Sequence, residues 1–182
     1  LTNEQLTLLT EGARLLQVEL TVESIDRIVV YLEELQRWAK IVNLVSQLDL
    51  ETIIRKHVLD SLAALSVLPA QGRLLDLGSG AGLPGLPIAA TRPTLEVSLL
   101  EPRRKRVNFL KEVIRKAMLT NTRVCEGRAE EFAEHEEWKR AFAIVITRAT
   151  WNIREFLMLA TPFIVKNGIV IAMKGATVEK EL

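Results

Sequence analysis

The chain has 182 residues, 48% of them hydrophobic and 26% charged, with a formal net charge of +1 at pH 7. That is enough apolar material for a real core, read here as one domain with an appendage, and the near-zero total does not by itself demand a polyanionic partner. No run approaches the roughly eighteen consecutive apolar residues of a membrane span, and no signal-peptide pattern is present.

Cys125 is the single cysteine and there are two histidines. An internal disulfide is excluded, a metal site is not expected, and a reducing cytoplasm is the expected location. The charge is unevenly spread. Residues 1–36 hold seven acids and two bases, whereas residues 37–128 hold fifteen bases and eight acids.

The first seventy residues carry helical periodicity. Thr2-x-x-Gln5 resembles a capping box ahead of Leu6, Leu8, Leu9, Leu15 and Leu16. A longer helix follows Thr21, with Ile25, Ile28, Val29, Leu32, Leu35 and Trp38 at spacings of three and four, and a third begins near Asp49 with Ile53, Ile54, Val58, Leu62 and Leu65. Pro69 and Gly72 mark a boundary, so residues 1–70 are read as a helical extension and residues 71–182 as the second unit.

Beyond that boundary, strands near 73–77, 96–101, 122–126, 142–147 and 168–173 alternate with helices near 85–91, 103–118, 129–134 and 153–161. Alternation of this kind predicts an α/β fold, a parallel sheet with helices on both faces, whose ligands bind at the carboxyl ends of the strands. The chain begins at Leu1, its first methionine is Met118, and it ends soon after the fifth strand. A trimmed piece of a longer chain, lacking a final antiparallel hairpin, is therefore expected.

Residues 74–85 read Leu-Leu-Asp-Leu-Gly-Ser-Gly-Ala-Gly-Leu-Pro-Gly, a buried-strand signal that closes on Asp76 and runs into Gly78, Gly80 and Gly82. These glycines let the backbone turn sharply and approach a ligand without an intervening Cβ. The second strand also closes on an acid, Glu101, placed to accept from both hydroxyls of a ribose. Gly80-x-Gly82-x-x-Gly85 matches the dinucleotide fingerprint, but two details oppose a pyrophosphate. Pro84 and Pro87 remove N–H donors where the helix begins, and Asp76 places an anion beside the glycines. S-adenosylmethionine has a ribose, a sulfonium and an amino group but no phosphate, and it suits both acids and the prolines.

At this level of detail the chain resembles the RsmG (GidB) family of bacterial 16S ribosomal RNA methyltransferases. The motifs that carry the resemblance are Asn43-Leu-Val-Ser46, His57-Val-Leu-Asp60-Ser61-Leu62, the glycine loop, Lys105-Arg106 with Phe109-Leu110, Arg128-Ala129-Glu130-Glu131, Thr147-Arg148-Ala149 and Lys174-Gly175. Each is weak alone; their order and spacing together are specific. The resemblance implies a class I S-adenosylmethionine-dependent methyltransferase fold, Rossmann-like and mostly parallel. It also implies methylation of guanine N7 in the decoding-centre loop of 16S RNA, with the RNA or the small-subunit particle as partner; a monomeric chain is expected. By matching motif it further implies cofactor contacts from Gly78, Leu83, Ala129, Glu130 and Arg148.

Arg103-Arg104-Lys105-Arg106 opens the helix after the second strand, where cations oppose the helix dipole. With Lys111 and Arg115 they form a candidate RNA-phosphate track, weighed against a merely solvated face. Asn43, His57, Asp60 and Ser61 are candidates to position substrate. A hydrolase triad is rejected because no G-x-S-x-G elbow exists: Ser79 is flanked directly by Gly78 and Gly80. The (N/D)-P-P-(Y/F/W) motif of amino-group methylation is absent after the fourth strand, where Arg148 stands. Guanine N7 is an unprotonated ring lone pair that needs no general base, so none is assigned; Arg148 and Lys174 are read as groups that hold phosphate or guanine O6. Trp38, Trp138 and Trp151 are read as core or interface anchors, and none is assigned to RNA.

Overall fold

A computed structural model describes residues 1–45, 49–148 and 151–174. Five strands, β1 (Gly72–Leu77), β2 (Leu95–Glu101), β3 (Thr122–Glu126), β4 (Phe142–Thr147) and β5 (Ile164–Ala172), form one sheet in the order β3-β2-β1-β4-β5. Every neighbouring pair is parallel. Strand order reverses direction between β1 and β4, and a crevice opens at such a switch point beyond the carboxyl ends of the strands. Asp76, Glu101 and Arg148 all lie at that end of the sheet.

Helices α5 (Gly85–Thr91), α6 (Arg104–Lys116), α7 (Ala129–Ala133) and α8 (Ile153–Ala160) follow β1 to β4 in turn. Two apolar clusters flank the sheet. One unites Leu74, Val97, Leu99 and Ile144 with α5, α6 and the N-terminal helices; the other unites Leu75, Leu77, Val145 and Phe142 with Trp138, Phe156 and Phe163. The strands therefore alternate sides while remaining apolar on both, as a doubly covered parallel sheet requires.

The extension comprises α1 (Asn3–Leu15), α2 (Val22–Ala39) and an irregular third helix. Thr2 and Gln5 form the reciprocal capping box, and Thr21 and Asp49 cap the next two helices. The periodicity over 49–65 predicts one uninterrupted helix. The structure instead passes from α3 (Leu50–Ile53) through a π-helical turn (Ile54–Val58) into α4 (Leu59–Ala63). Two carbonyls of that turn accept from side chains: the His57 carbonyl from Ser61 Oγ at 2.6 Å, and the Lys56 carbonyl from the Arg148 guanidinium.

The extension is joined to the sheet unit by a shared core rather than a linker. Helix α5 is wholly buried but for its last residue and packs against α2, α4 and β2. Lys116 of α6 donates to the buried Glu34 of α2 at 2.7 Å. Strand β5 starts four residues ahead of the expected 168. Asn167 adopts φ +65° and the register with β4 shifts between Ile164 and Ile169, so a polar Lys-Asn-Gly run survives as an irregularity in an edge strand. All strands among the described residues are parallel. Ser46, Ala149, Gly175 and the place of any closing hairpin lie outside them.

Candidate functional site

The glycine loop is held from β2. The Gly78 and Ser79 amides both donate to the Leu100 carbonyl, at 2.9 and 3.1 Å. Glu101 closes the strand with its carboxylate almost fully buried, and its two oxygens accept from the Gly80 and Arg103 amides, each at 2.9 Å. Gly78, Gly80 and Gly82 have φ of +70°, +55° and +83°, the left-handed region that penalises any Cβ. Their packing differs. A Cβ on Gly80 meets nothing closer than 3.6 Å, whereas one on Gly82 lies 2.2 Å from Leu86, so Gly82 serves the seating of the loop on α5.

Asp76 is completely buried. Its Oδ2 accepts from the Gly85 amide at 3.0 Å and its Oδ1 has no partner. Burial pushes its pKa up to about 7, against the pull of the Gly85 N–H. The amides that open α5 are all spoken for: Gly85 donates to Asp76, Leu86 to the Gly82 carbonyl at 2.8 Å, Pro87 has none, and Ile88 donates to the Pro84 carbonyl at 3.3 Å. No N–H is left at this helix start for a pyrophosphate.

Around the loop lies a cavity of about 260 Å³ lined by Gly78, Glu101, Arg103, Ala129, Glu130 and Trp151, among others. Motifs after β1, β2 and β3 thus converge on one space, and a Glu101 carboxylate with lone pairs to spare faces it. Such a cradle fits a ribose-bearing cofactor. Asp76, Gly80, Gly82, Leu83 and Arg148, also expected at the cofactor, do not line it: Asp76 is sealed behind the glycine loop, Leu83 is buried in the main core, and Arg148 is held at the π-helical turn. A larger groove, about 800 Å³, runs between α1 and residues 55–63 and takes none of its lining from the glycine loop. Trp151, read from sequence as an anchor, lines the cavity beside Glu101, while Trp138 is core and Trp38 packs edge-on against Phe109.

A second cluster joins β4 to the π-helical turn. Arg148 Nη2 donates to the Lys56 carbonyl and reaches Asp60 Oδ2 at 3.3 Å. Arg148 Nη1 and His57 Nδ1 are both buried without a partner. Burial and the facing Arg148 charge hold the His57 pKa below its ordinary value. Tyr31 of α2 donates its buried hydroxyl to the Ala81 carbonyl at 3.1 Å, and burial pushes its pKa up. Tyr31 was not singled out in the sequence, because fifty residues separate it from the loop it supports. Ser61 is buried against its own helix, and Lys174 donates to the Trp151 carbonyl.

The basic run divides. Arg103, Arg104, Lys105, Lys111 and Arg115 are exposed. Arg115 is paired with Glu112 at 2.8 Å, so its charge is offset. Arg106 turns inward instead, with Nη1 4.0 Å from Glu101 and Nη2 donating to the Asn43 carbonyl at 3.3 Å. Among the described residues no helix is long and apolar enough to cross a membrane, and no group of three or more His, Cys, Asp and Glu could hold a metal.

With this geometry in place, comparison with known proteins is decisive for the family. Residues 24–182 match GidB, described as rRNA small subunit methyltransferase G. The chain belongs to the GidB family. A relative from Desulfitobacterium hafniense named Ribosomal RNA small subunit methyltransferase G is 37% identical over 92% of this chain and 70% of its own length. One of the same name from Clostridium botulinum is 35% identical over 86% of this chain and 66% of its own. Among solved structures, a putative S-adenosyl-L-methionine-dependent methyltransferase from Methanococcus maripaludis superposes with a TM-score of 0.56 at 12% identity, over 77% of this chain and 61% of that one. At that identity the likeness shows the fold, and the fold is that of class I methyltransferases.

Proposed function

We propose that this member of the GidB family transfers a methyl group from S-adenosylmethionine to N7 of a guanine in the decoding-centre loop of 16S ribosomal RNA. The observation that carries the cofactor is the cradle at the ends of β1, β2 and β3: Glu101 lines it, and the start of α5 has no amide free for a phosphate. Glu101 accepts from the ribose, Ala129 and Glu130 border the adenine, and Gly78 admits the chain of the cofactor. Asp76 supplies a negative charge behind the loop that offsets the sulfonium and amino groups.

The chemistry is one displacement. The N7 lone pair attacks the sulfonium methyl, the carbon–sulfur bond breaks, S-adenosylhomocysteine leaves neutral at sulfur, and the purine carries the positive charge. No proton leaves N7, so no general base is required. This chain's residues hold the two reactants in line, and orientation alone can supply roughly 7–11 kcal/mol. Arg104, Lys105 and Lys111 offer the RNA backbone a solvated cationic strip beside the cavity.

Calorimetric titration with S-adenosylmethionine, S-adenosylhomocysteine and NAD tests the cofactor half. Micromolar binding of the first two with silence from NAD is the expected result. Binding of NAD, or of none, contradicts it.

A further inference from the structure

The π-helical turn presents two buried polar atoms that nothing satisfies. Arg148 is fixed through Nη2, which donates to the Lys56 carbonyl and reaches Asp60, while Nη1 is a donor without an acceptor. His57, next in sequence to Lys56, has Nδ1 buried and equally unpartnered. Buried polar groups are almost always paired, so an orphan guanidinium donor and an orphan imidazole nitrogen in one cluster leave room for a ligand that offers counterparts.

We propose that Arg148 Nη1 and His57 Nδ1 read the lactam edge of the target guanine, Arg148 donating to O6 and His57, in the tautomer protonated at Nε2, accepting from N1–H. This rests on the guanine-N7 reading above. Adenine carries the reverse order on that edge, a donor at position 6 and an acceptor at N1, and would set donor against donor and acceptor against acceptor. O6 lies beside N7 on the same edge of the purine, so an arginine on O6 fixes where N7 points without contacting it.

Methylation makes the ring cationic and its N1–H more acidic. A neutral acceptor there holds the product-like state more tightly than the ground state, which is the condition for accelerating the step. The charged and titratable groups around His57 are Arg148, which follows β4, and Lys56 and Asp60 from its own helix; burial first and the arginine charge second hold the imidazole pKa below its ordinary value, which favours the neutral form the contact needs. Both atoms are shielded in this structure. Asp60 is exposed and its contact with Arg148 is long at 3.3 Å, so that side is the one that yields to an entering base.

The test is single-turnover methylation of small-subunit particles whose target guanine is kept, replaced by inosine, or replaced by 2,6-diaminopurine. Inosine keeps O6, N1–H and N7; diaminopurine keeps N7 with the edge reversed. The unsubstituted chain should accept inosine at close to the guanine rate and diaminopurine about 100-fold more slowly, within the range one bidentate base contact supports. His57→Ala should slow guanine about 10-fold and shrink the guanine-to-diaminopurine ratio by a similar factor. His57→Asn, whose Oδ1 occupies the place of Nδ1, should retain most of the rate. S-adenosylhomocysteine affinity, unchanged in both variants, reports that they are folded. Equal rates on guanine and diaminopurine by the unsubstituted chain, or an unaltered ratio in His57→Ala, overturn the proposal. If His57→Ala does not fold, the unsubstituted chain on the three bases and His57→Asn still decide. No transfer to guanine at all would instead overturn the activity on which the proposal rests.

Discussion

The Gly85 amide donates to Asp76 Oδ2 across 3.0 Å, tying the first residue of α5 to the end of β1 across the whole glycine loop. The approach is so close that a Cβ on Gly85 would stand 2.6 Å from that oxygen and 2.3 Å from Leu99. Gly85→Ala should therefore destabilise the chain by about 1–3 kcal/mol through overpacking. Gly80→Ala makes only ordinary contacts, none closer than 3.6 Å, and strains φ alone, so about 1–2 kcal/mol is expected. Urea unfolding of both variants checks the order; a larger loss at Gly80 would refute it.

Asp76 makes stability depend on pH. Its folded pKa of about 7 lies above the unfolded value of 3.8, so its contribution is fully present below about pH 4 and lost as pH rises toward 7. Asp76→Asn should flatten that part of the stability curve, by an amount on the order of a few kcal/mol. By the same linkage, cationic S-adenosylmethionine should bind more tightly as pH rises through 7, since the carboxylate buried behind the loop becomes charged. A cofactor affinity independent of pH between 6 and 8 would contradict this role for Asp76.

Tyr31 reaches from the extension to the loop. Tyr31→Phe leaves the Ala81 carbonyl buried without its donor, a loss of about 1–3 kcal/mol. Cofactor affinity should fall with it, because the loop loses its support from α2. Calorimetry beside thermal unfolding separates the two effects; unchanged affinity would confine Tyr31 to stability.

The exposed half of the basic run should serve RNA and not the cofactor. Arg104→Glu with Lys111→Glu is expected to weaken particle binding about tenfold or more and to lower its salt dependence, with S-adenosylhomocysteine affinity unchanged. Arg106→Ala should do the opposite, since that guanidinium lies against Glu101 and the Asn43 carbonyl. Filter binding across a salt series distinguishes them.

What was legible in the sequence was whatever short-range pattern encodes. The caps at Thr2, Thr21 and Asp49, the strands ending on Asp76 and Glu101, and the glycines with positive φ all follow from neighbours a few residues apart. What escaped was set by contacts across long separations. The π-helical turn is bound up with Arg148, ninety-two residues from Lys56; Tyr31 finds Ala81 over fifty; and Arg106 leaves its basic neighbours because Glu101 and Asn43 draw it inward. Strand β5 began early because an edge strand tolerates the polar run and positive φ that read as a loop.

The most direct test of the central claim is to incubate the chain with methyl-labelled S-adenosylmethionine and unmethylated small-subunit particles, then cleave the RNA by borohydride reduction and aniline, which breaks the strand at N7-methylguanine. The account predicts label in 16S RNA and scission at a single guanine of the decoding-centre loop. Label without scission, or scission elsewhere in the RNA, would contradict it.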